Sequence, residues 1–157
     1  TLKPVMLDAR SEIDQVCRQM EAVAAEYNNT LTATLPETLP VVTADRERFA
    51  QIVRILIENA CMYTPAGGSV TVSAGPTEEG RVQIAVTDTG IGVPEADRRS
   101  LFTLFFRGDS PTVREKQGAG MSLYMLRRLL ELMGGAYGVE FPPAGGSRFW
   151  VRLPAAK

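Results

Sequence analysis

Between Asp45 and Tyr63 the residues Phe49, Ile52, Val53, Leu56, Ile57 and Ala60 recur at offsets of three, four, seven, eight and eleven, which traces one apolar stripe along a helix. A stripe this regular has to be covered by another layer, so it constrains the fold more than any other feature. Asp45 precedes the run and is placed to cap it, while Thr64-Pro65-Ala66-Gly67-Gly68 ends it. The period then switches to two. Ser69 to Ala74 reads as a strand, Gly75 to Gly80 as a turn, and Arg81 to Thr87 as its antiparallel partner with Val82, Ile84 and Val86 on one face.

The remaining segments extend this into an α+β layout. Residues 2 to 6 suit a short edge strand, and Val5, Leu7, Ile13, Val16, Met20, Val23 and Ala24 carry helical spacing to about Asn28. Thr30 to Leu35 alternates threonine with apolar residues, and Val41-Val42 forms a very short extended piece after Pro36 and Pro40. Beyond Asp88 the stretch to Lys116 holds only a short helical piece around Glu95 to Phe106, and a loop of that length usually has a function. Leu123, Leu126, Leu129, Leu130 and Met133 form a further amphipathic helix stopped by Gly134-Gly135, and strands are expected at 136 to 141 and 147 to 153. The expected architecture is one domain over residues 1–157, a two-layer sandwich in which three main helices cover one face of a mixed, largely antiparallel sheet.

Composition excludes several classes of function. With 17 basic and 18 acidic side chains the net charge is -1, which gives no reason to expect nucleic acid or an anionic membrane as a partner. No apolar run approaches the ~20 residues of a membrane span, and the opening TLKPVMLDAR lacks the apolar stretch of a signal peptide. The expected setting is therefore soluble and cytoplasmic, with Cys17 and Cys61 as free thiols packed in helices. The chain contains no histidine, so triads built on imidazole, imidazole zinc sites and histidine phosphorylation within the chain are all excluded.

Three motifs stand out, each with a plain structural alternative. Asp88-Thr89-Gly90-Ile91-Gly92 follows a strand and reads as a turn, or as a carboxylate that accepts from an exocyclic amine beside glycines that admit a flat base. Gly118-Ala119-Gly120 opens a helix, where free amides favour phosphate, with Arg114 and Lys116 just upstream. Asn59 sits at the edge of the apolar stripe and is either a satisfied core amide or an oxygen ligand for magnesium.

In this order the motifs resemble the ATP-binding catalytic domain of sensor histidine kinases, whose fold is shared with gyrase and the mismatch-repair MutL proteins. ADRERFAQIVRILIENACMYTPAGGSVTV is similar to that family's asparagine box, and VTDTGIGVPEADRRSLFTLFFRGD to its first glycine box and phenylalanine box. GAGMSLYMLRRLLELMGG is similar to its second glycine box, and GSRFWVRLP to its closing strand. The resemblance implies that Asp88 binds the adenine amine, with Gly90 and Gly92 shaping the pocket and Tyr63 and Ile91 lining it. It implies further that Asn59 holds magnesium on the phosphates of ATP, that Lys116, Gly118 and Gly120 serve the triphosphate, and that Phe102 and Phe106 anchor the intervening loop. No residue of the chain need act beyond ligand positioning. The γ-phosphate would pass to a histidine on a separate dimerisation domain of the same parent protein, for which the resemblance is compatible with a membrane anchor, with a response regulator downstream.

Four positions depart from the family's usual pattern. Ile55 and Met62 replace a polar and a basic residue on the flank of Asn59, Ser122 replaces a glycine, and Arg148 replaces a small polar residue at the expected rim of the adenine pocket. Their grouping around the ligand supports a second reading, a degenerate kinase domain with weak or no ATP binding that works as a regulatory interaction module. A gyrase-like clamp would need a water-activating acid where this chain has Ile55.

Overall fold

A computed structural model of the chain describes residues 2–91, 93, 95–102 and 121–156. The elements in order are β1 (Pro4–Asp8), α1 (Ala9–Glu26), β2 (Thr30–Thr34), β3 (Val41–Asp45), α2 (Arg46–Tyr63), β4 (Ser69–Pro76) and β5 (Arg81–Asp88). A 3₁₀ turn at Glu95–Ser100, α3 (Met121–Met133), β6 (Ala136–Glu140) and β7 (Ser147–Pro154) complete them.

Five strands form the main sheet in the order β2-β4-β5-β7-β6, with β2 parallel to β4 and every other pair antiparallel. Period-two alternation sends Val70 and Val72 of β4, Val82, Ile84 and Val86 of β5, and Phe149, Val151 and Leu153 of β7 into one buried face. Against that face lie the α2 stripe, Phe49, Ile52, Val53, Leu56, Ile57 and Ala60, together with Ile13, Val16 and Met20 of α1 and Leu126 and Leu130 of α3. The opposite face carries Thr71, Ser73, Gln83, Arg148, Trp150 and Arg152, where Arg152 stacks on Trp150 and donates to Gln83. The architecture is the expected α+β arrangement of three helices on a mixed, mostly antiparallel sheet.

Two local expectations change. Val5 and Leu7, compatible with the spacing of α1, belong to β1, and the extended piece at Val41 runs five residues to Asp45. The two strands pair antiparallel, from Pro4 opposite Asp45 to Asp8 opposite Val41, as a small second sheet. Each supplies the ladder partner that makes the other a strand, a non-local cause invisible to periodicity. Asp8 and Asp45 then cap the helices that follow: the Asp8 carboxylate accepts from the Arg10 amide at 3.1 Å, and that of Asp45 from the Arg48 amide at 3.0 Å. Of the helical piece expected to Phe106, the 3₁₀ turn is observed, and Phe106 itself lies outside the described residues.

Candidate functional site

The last residue of β5 is where the regular alternation delivers a charge to the core. Val82, Ile84 and Val86 face inward, so Asp88 does as well, and it is only 2% exposed. Its Oδ1 accepts from the Gly90 amide at 2.9 Å and from the Ser147 amide at 3.2 Å, whereas Oδ2 has no partner among the described residues. Burial raises the Asp88 pKa from 3.8 to about 6, and the two amide donors offset part of that rise.

Two glycines permit this arrangement. A Cβ on Gly90 would overlap the carbonyl oxygen of Tyr63, so the chain after β5 lies directly against the C-terminal end of α2. Ile91 donates its amide to that same Tyr63 oxygen at 3.0 Å. Gly146, at φ +78°, lies so close to the Asp88 carbonyl that a side chain would overlap it, and this approach aims the Ser147 amide at the carboxylate. Tyr63 is buried, while Ile91 is 52% exposed at the mouth of the turn.

One helical turn before Tyr63 stands Asn59, 1% exposed, with neither Oδ1 nor Nδ2 partnered among the described residues. Leaving a buried amide unsatisfied costs about 1–3 kcal/mol, so a folded domain keeps one only where something else completes it. Ser147 repeats the pattern: it is fully buried and its Oγ has no partner among the described residues. The site therefore offers a carboxylate oxygen, a hydroxyl and a whole amide, a set that suits a ligand with polar edges and a coordinated cation. Among the described residues no group of three or more histidine, cysteine, aspartate or glutamate side chains stands ready to hold a metal.

Ser147 and Gly146 were not among the residues singled out from sequence. Their signal was the pair Gly145-Gly146 directly before an alternating strand, and it becomes readable only with the register that sets Ser147 opposite Asp88. Gly92, Lys116, Gly118, Gly120, Phe106 and Arg114 lie outside the described residues, and Ser122 falls in the first turn of α3. Phe102 packs its ring 4.8 Å from that of Tyr137 and 6.1 Å from that of Phe149. Met62 is buried, at 5% exposure. Ile55 is partly buried and lines a cleft with Met20, Gln51, Arg54 and Glu58. Arg148 does not rim the Asp88 pocket: alternation sends its side chain to the opposite face of the sheet, where it pairs with Glu140 at 3.1 Å.

Comparisons with known proteins bear on the family and the fold. The family described as histidine kinase-, DNA gyrase B-, and HSP90-like ATPase matches residues 44–157. The adaptive-response sensory kinase SasA of Rippkaea orientalis is 36% identical over 132 residues, which is 84% of this chain and 33% of that protein. Sensor protein GacS of Pseudomonas syringae pv. syringae is 36% identical over 143 residues, 89% of this chain and 15% of that protein. The chain thus spans about a third or less of these two relatives. The crystal structure of full-length ShkA in complex with AMPPNP covers 100% of this chain and 32% of its own, at 32% identity and a TM-score of 0.85. The nucleotide-free catalytic domain of histidine kinase ThkA covers 98% of this chain and 96% of its own at 23% identity and a TM-score of 0.82, a likeness of fold alone. With nearly three quarters of its length matched by the family and its whole fold shared with kinase catalytic domains, the chain belongs to the histidine kinase-, DNA gyrase B- and HSP90-like ATPases, as a catalytic domain of the sensor histidine kinase type.

Proposed function

We propose that this domain binds ATP with magnesium and presents the γ-phosphate to a histidine on a separate dimerisation domain of the same parent protein, from which a response regulator receives it. The observation that carries the reading is the cluster of buried, unpartnered polar atoms, Asp88 Oδ2, Ser147 Oγ and the Asn59 amide, around the turn at Gly90. Asp88 Oδ2 accepts from the exocyclic amine of adenine. Gly90 lets the base approach the backbone, and Tyr63 and Ile91 flank it. Asn59 Oδ1 suits a magnesium ion on the phosphates, and Gly92, Lys116, Gly118 and Gly120 are assigned to the pocket and the triphosphate on sequence alone. When bound, magnesium supplies neutralisation of charge on the phosphate oxygens.

The chain's own contribution is binding and orientation. Having no histidine, it carries no acceptor for the phosphoryl group. The acceptor imidazole attacks the γ-phosphorus in line and the bond to the ADP oxygen breaks, a reaction whose barrier is lowered mostly by positioning and charge. The reading is supported by ShkA, crystallised with AMPPNP, and by the kinases SasA and GacS. A complex of ThkA with the response regulator TrrA accords with the downstream partner.

Calorimetric titration of the domain with AMPPNP, with and without magnesium, tests the proposal. Micromolar, magnesium-dependent binding is expected. A folded sample that gives no heat up to millimolar nucleotide would overturn it in favour of the regulatory interaction module.

A further inference from the structure

The C-terminal end of α2, which carries Asn59 and Tyr63, is held by a residue from outside the nucleotide site. Helix α1 ends at Glu26, and two residues on, Asn28, with a φ of +58°, turns the chain left-handed while the Asn28 and Asn29 amides close onto the carbonyls of Ala25 and Ala24 at 2.9 Å. That turn drives Asn29 inward, to 9% exposure. Its Nδ2 then donates to two carbonyls at the end of α2, Cys61 at 3.3 Å and Thr64 at 3.2 Å. The Cys61 carbonyl also accepts the Thr64 amide at 3.2 Å, so the Asn29 side chain reinforces the turn that closes α2. Two backbone bonds run alongside, from Gly67 to the Asn28 carbonyl at 2.8 Å and from Thr30 to the Gly68 carbonyl at 3.0 Å.

We infer that Asn29 is a positioning residue for the nucleotide site, acting as a side-chain cap that fixes the end of α2 and, through the Tyr63 carbonyl, the Gly90–Ile91 turn beside Asp88. The inference rests on the nucleotide reading only for its consequence in binding. The mechanical link stands on bonds already described: Asn29 to the carbonyls flanking Tyr63, then the Tyr63 carbonyl to the Ile91 amide and the Gly90 backbone. Tyr63 sits between the two carbonyls that Asn29 holds, so loss of the cap loosens the surface against which the Asp88 turn is pressed.

Asn29→Ala and the milder Asn29→Ser, whose hydroxyl is too short to span both carbonyls, test this. Amide exchange is followed without ligand at Ile91 and Thr64, with Val86 as an internal reference, and AMPPNP is then titrated into the folded variants. Exchange at Ile91 is expected to quicken at least about tenfold relative to Val86, and the dissociation constant for AMPPNP to rise about tenfold. A lower melting temperature with Ile91 exchange and AMPPNP affinity unchanged would overturn the inference and leave Asn29 as a filler of space. Should Asn29→Ala fail to fold, Asn29→Ser decides; should neither fold, exchange in the unaltered protein does. There the Asn29 side-chain amide protons are expected to be protected relative to those of exposed Asn28, and equal exchange would overturn the inference. Failure of the unaltered protein to bind AMPPNP would defeat the nucleotide reading alone, because the Ile91 exchange still reports on the cap.

Discussion

The amide of Ser147 reaches across 59 residues of sequence to Oδ1 of Asp88 at 3.2 Å, so the carboxylate is oriented by the strand beside it as well as by its own turn. With Oδ1 engaged by Ser147 and Gly90, Oδ2 is the oxygen left for a ligand. Asp88→Asn keeps an acceptor for both amides and removes the charge. It is expected to abolish specific AMPPNP binding while the domain stays folded, as measured by calorimetry beside a thermal melt; undiminished affinity would refute the adenine assignment.

The raised pKa of Asp88 makes a second prediction, in pH. A carboxyl whose folded pKa of about 6 exceeds its value in the unfolded chain contributes stability at low pH, where it is protonated in both states, and loses it as pH rises toward and through 6. Ligand-free Asp88→Asn is therefore expected to be more stable than the unaltered domain at pH 8, by roughly 3 kcal/mol at most, and equally stable well below pH 4. Nucleotide affinity should run the other way, weakening as pH falls through about 6 and the acceptor protonates. Denaturant titrations and calorimetry across this range measure both.

Gly146→Ala is expected to destabilise the domain by roughly 1–3 kcal/mol, because the side chain must occupy a strained positive φ against the Asp88 carbonyl. Affinity for AMPPNP should drop in the folded variant, since the Ser147 amide moves with Gly146. A melt and a titration on the same preparation separate the two effects.

Met62→Lys tests the phosphate-facing flank of α2. Burying an ammonium at a position only 5% exposed costs stability in the ligand-free domain, and a triphosphate nearby offsets that cost. The expected result is a lower melting temperature without nucleotide and AMPPNP binding tighter by about tenfold. Unchanged affinity would place Met62 away from the phosphates.

Arg148→Ala is expected to leave AMPPNP affinity within about twofold and stability within about 0.5 kcal/mol, since the partly exposed pair with Glu140 lies on the far face of the sheet. A large loss of affinity would contradict that placement.

The elements most readable from sequence were those whose cause is local. The α2 stripe and the β4–β5 hairpin repeat their periods for long enough to leave one interpretation, and Asp45 caps α2 where it was expected to. Strands β1 and β3 were harder because five residues rarely decide a period: Val5 and Leu7 fit the helix that follows as well as a strand, and pairing with residues 41 to 45 decides it. The site divides along the same line. Asp88 and Asn59 announce themselves by type and place, whereas Ser147 and Asn29 matter through partners 59 residues away and 32 and 35 residues away, which only the register and the helix packing bring together.

Strand β3 also meets the far end of the chain: Val42 bridges to Ala155, and the Ala156 amide donates to the Val41 carbonyl at 2.7 Å. One five-residue strand thus clasps both β1 and the residues after β7. Tension applied between Leu2 and Ala156 would load this clasp before the five-stranded sheet. A pull on the domain would first peel the small sheet, with Asp88, Ser147 and Gly90 still seated in the large one.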